Sequence, residues 1–364
     1  MAHWSARDLK LECFPIVPSH VSLPWDAADD YLLEQIDLLE ESNPTDILIL
    51  NDRYGALACA LPSAHSWVDS FCGHQALSHN RQRNGLSFQP RLTHDQAFTL
   101  EGISHIVIRI PKDHDLLREQ LSQVGQNYPD AEVWLAGMAK HVPVSLLNWL
   151  ENNAEQYQQL PIQRKARLIK LAGLKKFIQP TAIAGYSYNK LKLNAVPGVF
   201  GRHQIDLGAR VMLQYLPQDL QGRVCDLGCG NGILALSVAQ HCLQTNTLVN
   251  VIATDDSELA VISAKDNALR HGFDIDVRHG HSLSEVSETL DWVLCNPPFH
   301  DGHKQLTNIA DVMFKDATRA LKQDGQLLVV ANRHLPYFPM LKRLFSRVDL
   351  ISDDKRFNIY QCQR

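Results

Sequence analysis

Four residues, Asn296-Pro297-Pro298-Phe299, have chemistry suited to a planar exocyclic amine. The side-chain oxygen of Asn296 can accept one N–H of such an amine, and the carbonyl of Pro297 the other. Two consecutive prolines restrict the backbone that aims that carbonyl. Phe299 offers a ring face on which an unpaired base can stack. The tetrapeptide follows an apolar run, Trp292-Val293-Leu294-Cys295, which predicts a buried strand with the motif at its carboxyl end. Open α/β sheets bind their ligands at that edge. Asn-Pro-Pro alone is a common turn, and a second motif 68 residues earlier changes its meaning.

That motif is Asp226-Leu227-Gly228-Cys229-Gly230-Asn231-Gly232, between apolar residues from Val224 and a helix-like run from Ile233 to Ala239. A strand passing through three glycines into a helix lets a ligand lie against bare backbone at the positive end of the helix. The next apolar segment, Val249 to Thr254, ends at Asp255, 23 residues past Gly232. A ribose-binding carboxylate belongs near there in a nucleotide fold. A dinucleotide site shares part of this pattern. The full combination of acid, Gly-x-Gly-x-Gly and Asn-Pro-Pro-Phe resembles a class I S-adenosylmethionine-dependent methyltransferase acting on nitrogen.

At 364 residues the chain is long for one domain and comfortable for two. Hydrophobic residues make up 45% and charged residues 21%, the balance of a soluble globular chain. No apolar run approaches the roughly 20 residues of a membrane span, and the first residues lack the apolar core of a signal peptide. The eight cysteines include Cys225, Cys229 and Cys295 beside the two motifs, where a disulfide has little use. No Cys-x-x-Cys or His-Glu-x-x-His pattern occurs, so no metal is expected.

Strand and helix also alternate in the amino-terminal half, in the same order as later: strand and turn, strand ending in an acid, strand ending in proline. Its chemistry is missing. Asn51-Asp52-Arg53-Tyr54-Gly55 has one glycine where the later loop has three, and Ile110-Pro111-Lys112 stands in place of Asn-Pro-Pro-Phe. The expected fold is therefore α/β with two tandem methyltransferase-like (Rossmann-type) domains. Residues 1–156 form a degenerate, non-catalytic copy, residues 157–194 a basic connecting segment, and residues 195–364 a catalytic domain on a seven-stranded sheet. Val348 to Ile351 and Phe357 to Tyr360 would close that sheet as a hairpin.

The net charge of −5 does not suggest a nucleic-acid binder, but its distribution does. Between Gln156 and Ile205 there is no acid and there are nine cations, among them Arg164, Lys165, Arg167 and Lys170. Phosphate contacts are the favoured reading, and a solvated linker helix is the bland one.

Pro197-Gly198-Val199-Phe200-Gly201-Arg202, leading to Asp206-Leu207-Gly208, together with Asn296-Pro297-Pro298-Phe299-His300, resembles bacterial rRNA guanine-N2 methyltransferases. Segments Trp25 to Leu33, Ile47 to Asp52 and Val330 to Leu335 bring the chain nearer to the large-subunit members than to the small-subunit ones. The resemblance covers nearly the whole chain, with Gly201 departing from a frequent serine and His281 from an expected asparagine. It implies methylation of the N2 amine of one guanine in 23S rRNA, free or in a pre-ribosomal particle, by a cytoplasmic monomer using S-adenosylmethionine. Asn296, Pro297 and Phe299 would be catalytic, with Asp226, Gly228, Cys229, Gly230, Asp255, Asp256 and His281 around the cofactor. Arg202 and Asp206 would contact the cofactor or pair with each other. Phe200 would cover base or cofactor, or else be a core aromatic.

Small-subunit guanine-N2 methylation uses the same chemistry. Adenine-N6 and protein-glutamine methylation share Asn-Pro-Pro, more typically with tyrosine than with Phe299. A non-enzymatic RNA-binding or ribosome-assembly protein would have no need of Gly228, Asp255 and Asn296 together.

Overall fold

A computed structural model describes residues 1–18, 20–36, 46–174, 183–298, 303–352 and 354–364, with only the backbone considered for 303–307. The chain divides into two compact units, Met1–Ala182 and Ile183–Arg364.

The first unit begins with a hairpin of β1 (Ala2–Trp4) and β2 (Leu9–Leu11). Helix α1 (Ala27–Ile36), β3 (Ile47–Leu50), α2 (Ala56–Ala60), β4 (His65–Trp67), α3 (Phe71–Arg83) and α4 (His94–Ala97) follow. Next come β5 (His105–Arg109), α5 (His114–Asn127), β6 (Glu132–Met138), α6 (Val144–Asn153), β7 (Ala154–Gln159) and β8 (Ala166–Leu174). All four residues of β3 are buried, as expected of a central strand covered on both faces. The six-stranded sheet has the order β4-β3-β5-β6-β8-β7, parallel from β4 to β6 and antiparallel beyond.

The second unit opens with a hairpin of β9 (Ala184–Tyr188) and β10 (Leu191–Ala195). It continues through α7 (Leu207–Met212), β11 (Gly222–Leu227), α8 (Ile233–Thr245), β12 (Val249–Asp255), α9 (Glu258–His271), β13 (Ile275–His279) and β14 (Leu290–Cys295). Helix α10 (His303–Ala320), β15 (Leu321–Asn332), α11 (Tyr337–Leu344), β16 (Arg347–Leu350) and β17 (Phe357–Gln363) complete it. Its sheet order is β13-β12-β11-β14-β15-β17-β16. Alternate residues feed opposite cores. Val224, Trp292, Leu294 and Leu328 pack with Ile233, Ala235 and Val261 on one face, while Cys225, Val293, Cys295 and Leu327 pack with Phe314, Tyr337 and Leu341 on the other.

The two sheets share one plan. Removing β13 from the larger leaves the order of the smaller, with β4, β3, β5, β6, β8 and β7 in the places of β12, β11, β14, β15, β17 and β16. The expected carboxyl-terminal hairpin is present as β16 and β17.

The segment 157–194, read from sequence as a separate basic connector, is instead shared between the units. Strands β7 and β8 complete the first sheet, and β9 and β10 bring Leu191 and Leu193 into the second core. In β8, Arg167 and Lys170 are half-exposed within a run that also carries the buried Leu168, Ile169 and Leu171, so these cations sit on a strand of the sheet rather than on a free linker. All eight cysteines are buried and none forms a disulfide. Among the described residues no helix is long and apolar enough to cross a membrane.

Candidate active site

The carboxyl ends of β11, β12 and β14 lie side by side because Leu227 is in register with both Thr254 and Cys295. Each strand therefore delivers its next residue to one edge: Gly228, Asp255 and Asn296.

At β11 the chain turns sharply, with φ of 79° at Gly228, 54° at Gly230 and 87° at Gly232. Glycine adopts these left-handed values without steric cost. The N–H groups of Gly228 and Cys229 both donate to the Thr254 carbonyl, at 2.9 and 3.0 Å. Gly232 opens α8, and a Cβ there would sit 2.8 Å from Leu236 Cδ1. A Cβ on Gly230 would enter open space, with the Phe200 carbonyl at 3.9 Å as its nearest neighbour. The loop thus presents bare backbone where a ligand can approach.

Asp226 is 1% exposed and accepts the Ala235 N–H at 2.9 Å through Oδ2, capping α8 from the preceding strand. Its Oδ1 is buried with no hydrogen-bond partner among the described residues, and burial pushes the carboxyl up to about 7. Asp255 is half-buried and braces the loop: Oδ2 accepts Gly230 N–H at 2.8 Å and Oδ1 accepts Ser257 N–H at 2.9 Å. Burial pushes this carboxyl up to about 6, while those two N–H groups pull it down. Each oxygen keeps a lone pair for a further donor.

Asn296 is half-buried, Pro297 buried and Pro298 exposed. Asn296 Nδ2 donates to Asp206 Oδ2 at 3.0 Å, and the same oxygen accepts the Ala209 N–H at 2.9 Å as the cap of α7. Asn296 Oδ1 is enclosed and has no hydrogen-bond partner among the described residues. An acceptor in that condition costs about 1–3 kcal/mol, which a substrate N–H would recover.

The other sequence candidates fall as follows. Cys229 is buried, so only its backbone is offered to the loop, and burial holds its thiol well above the ordinary range. Asp256 is half-buried and its carbonyl accepts His279 Nε2 at 2.7 Å. His281 is half-buried just beyond β13, on the same sheet edge. Arg202 is 6% exposed and Phe200 59% exposed, so Phe200 is not a core aromatic. Gly201 has φ of 69°, a local reason for glycine over serine there. Asp206 Oδ2 accepts hydrogen bonds from Asn296 and from the first turn of α7. Phe299 lies outside the described residues.

Sequence reasoning missed a brace behind the loop. Asn267, fully buried, donates to the carbonyls of Asn194 and Asn231 at 2.7 and 2.9 Å and accepts the Asn194 N–H at 2.9 Å. This ties β10 to the glycine loop. Tyr186 of β9 meets the Asn231 side chain, with Nδ2 donating to its hydroxyl at 3.2 Å. No local pattern announces contacts between residues so far apart in the chain.

The basic quartet belongs to the first unit and is partly neutralised. Arg164 pairs with Glu34 at 2.6 Å and Lys170 with Glu132 at 2.7 Å. Lys170 also lies over the Trp134 ring, Arg167 donates to Gln159, and Lys165 is exposed in the β7–β8 turn.

The place of the glycine loop in the first unit is filled. Leu50 is in register with Trp67 and Ile108 as Leu227 is with Thr254 and Cys295. Counting on from the strand ends, Asn51 stands for Gly228, Arg53 for Gly230, Val68 for Asp255 and Arg109 for Asn296. Asn51 and Gln120 exchange hydrogen bonds at 2.9 Å in both directions. The residue replacing Asn296 is thus Arg109, one position before the Ile110-Pro111-Lys112 expected from sequence.

Two family models match the chain, one in each unit. Residues 190–361 match the model of the Methyltransferase small domain and residues 1–176 that of the RLMG N-terminal domain. The Ribosomal RNA large subunit methyltransferase G of Erwinia tasmaniensis is 35% identical, over 98% of this chain and 96% of its own. That of Klebsiella pneumoniae (strain 342) is 36% identical, over 97% and 96%. The T. thermophilus 16S rRNA N2 G1207 methyltransferase (RsmC), solved with AdoMet and guanosine, has the same fold. It superposes with a TM-score of 0.76 at 18% identity, over 93% of this chain and 92% of its own. With identity of this order along almost its full length and both domain models matched, the chain belongs to the ribosomal RNA large subunit methyltransferase G family.

Proposed function

We propose that this protein methylates the exocyclic N2 amine of one guanine in 23S rRNA, in the cytoplasm, using S-adenosylmethionine. The observation that carries the reading is Asn296 at the end of β14, its Nδ2 held by Asp206 and its Oδ1 awaiting a donor. The cofactor supplies an electrophilic methyl on a cationic sulfur. Asp255 accepts the ribose hydroxyls, the bare backbone at Gly230 gives room, and the amino terminus of α8 adds N–H groups.

The guanine N2 lone pair is delocalised into the purine ring, which makes it a weak nucleophile. Accepting its two protons at Asn296 Oδ1 and the Pro297 carbonyl favours the tetrahedral nitrogen of the transition state. No strong base is required before attack, because the nitrogen becomes acidic as it is alkylated. The base must leave any stack it occupies, and Phe299 or the exposed Phe200 would receive it.

Large-subunit RNA is favoured because the named relatives match over both halves of the chain. Labelled methyl donor should mark 23S rRNA purified from a strain lacking this protein and leave 16S rRNA unmarked. Label in 16S rRNA alone would move the substrate to the small subunit.

The basic strand should help capture RNA without choosing the base, since phosphate contacts carry no direct sequence information. Replacing Arg164, Lys165, Arg167 and Lys170 with alanine should flatten the log–log salt dependence of rRNA binding. A reduction of about 1–2 units is expected, below the roughly 3 that four phosphate contacts to single strands would give, because Glu34 and Glu132 already hold two of the four. Filter-binding isotherms at several salt concentrations check this, and an unchanged slope removes the segment from the RNA contact.

A further inference from the structure

We propose that Asp206 is a positioning residue, whose carboxylate fixes the carboxamide of Asn296 so that Oδ1, and not Nδ2, faces the target amine. The inference rests on the amine-acceptor role assigned above to Asn296.

A carboxamide presents two ends of nearly equal shape and opposite hydrogen-bond sense. Turned about its last bond, Asn296 would offer an NH₂ group to an amine that itself needs acceptors. Something must therefore decide the orientation. A carboxylate accepts and cannot donate, so Asp206 Oδ2, 3.0 Å from Nδ2, permits only the orientation that leaves Oδ1 for the substrate. Asp206 is itself held, because the same oxygen caps α7 through the Ala209 N–H. Helix α7 packs on β15 and β17, next to the strand that carries Asn296. The acid thus reaches Asn296 from a rigid element 90 residues earlier in the chain.

The first unit repeats the arrangement with different chemistry. Asp26 precedes α1, which packs on β6 and β8, the strands in the places of β15 and β17. Its Oδ1 accepts the Ala28 N–H at 2.8 Å. Its Oδ2 holds Arg109, the residue in the place of Asn296, at 2.8 Å, and Asp29 takes Arg109 Nε at 3.2 Å. In both units an acid at the start of the helix before the first parallel strand reaches the residue at the end of the matching strand, β5 or β14. In the first unit the held residue is a cation with no acceptor to offer. In the second it is an amide with a bare oxygen. The contact between helix and strand end is shared by the two units, whereas the free acceptor is confined to the second.

Three variants separate positioning from capping and from cofactor binding. Serine caps helices about as well as aspartate but is too short to reach Asn296, so Asp206→Ser should fold normally and keep wild-type affinity for S-adenosylmethionine. Its single-turnover methyl-transfer rate should fall about tenfold to a hundredfold, the usual loss when a group orienting a functional residue is removed, with rRNA affinity nearly unchanged. Asp206→Asn keeps the cap and an acceptor oxygen and should recover most of the rate. In the Asn296→Ala background, Asp206→Ser should cost little more, because both changes remove one unit of function.

Equal losses from Asp206→Ser with and without Asn296 would overturn the proposal. So would a loss of cofactor affinity as large as the loss of rate, which would return Asp206 to the cofactor. The Asn296→Ala control separates the two claims. If that variant remains fully active, the role of Asn296 itself is wrong; if it is inactive while Asp206→Ser is fully active, only the positioning role fails.

Discussion

Asn296→Ala is expected to lower the methyl-transfer rate by about 10²–10³ while leaving cofactor affinity within about twofold. The magnitude follows from the loss of one pre-organised partner for charge that develops in the transition state. The separation follows from the architecture. Asn296 ends β14 and its bonded partner is Asp206, whereas the glycine loop is braced by Thr254 and Asp255. Removing the amide therefore leaves the loop as it was. Stopped-flow or quench-flow single turnovers give the rate, and calorimetry gives the affinity. A mutant that methylates rRNA at the wild-type rate contradicts the role given to Asn296. A parallel loss of cofactor affinity would show that its contribution is not confined to the base.

The second large effect is expected at Asp255. Replacing it with alanine removes a charged acceptor for the ribose hydroxyls, worth about 1.5–3 kcal/mol, or roughly tenfold to more than a hundredfold in cofactor affinity. It also releases the N–H groups of Gly230 and Ser257 that the carboxylate now holds, so the upper part of that range is expected. Titration calorimetry on the full-length protein reads both affinity and stoichiometry, and one cofactor per chain is expected. Arg53, Val68 and Arg109 occupy the places of Gly230, Asp255 and Asn296 in the first unit, with Arg109 consumed by Asp26 and Asp29. Two sites per wild-type chain would mean that this half is not degenerate, and unchanged affinity in the mutant would remove Asp255 from the cofactor site.

The site was legible in sequence where its residues sit at strand ends. Largely apolar runs such as Val249 to Thr254 and Trp292 to Cys295, short and bounded by turn residues, mark buried parallel strands, and the residue that follows each is a ligand-edge residue by topology alone. The repeat of the plan in the first half was visible for the same reason. The boundary between the halves was not, because β7 is a largely polar edge strand and β8 mixes cations with apolar residues in no strict alternation, so neither announces itself as a strand. The acids that neutralise Arg164 and Lys170 come from α1 and β6, far off in sequence. Helix α3 escaped notice because its inner face mixes Ala76 and Leu77 with the buried polar residues His74, Asn80 and Arg81. Arg81 is 3% exposed and donates to the carbonyls of Ala58, Pro62 and Ser87 at 2.8–2.9 Å, contacts that no hydrophobic periodicity reports. The duty of Asp206 was hidden likewise, since its partner is 90 residues away.

The central claim, that Asn296 and its loop receive the exocyclic amine of a guanine, is tested most directly by the identity of the product. 23S rRNA from a strain lacking this protein would be methylated with labelled S-adenosylmethionine, digested to nucleosides and analysed by mass spectrometry. All label should appear in N2-methylguanosine, at a single nucleotide when the intact RNA is mapped, and none with the Asn296→Ala enzyme at matched times. Label in N6-methyladenosine, or in a ring-nitrogen or ribose methyl, would contradict the account.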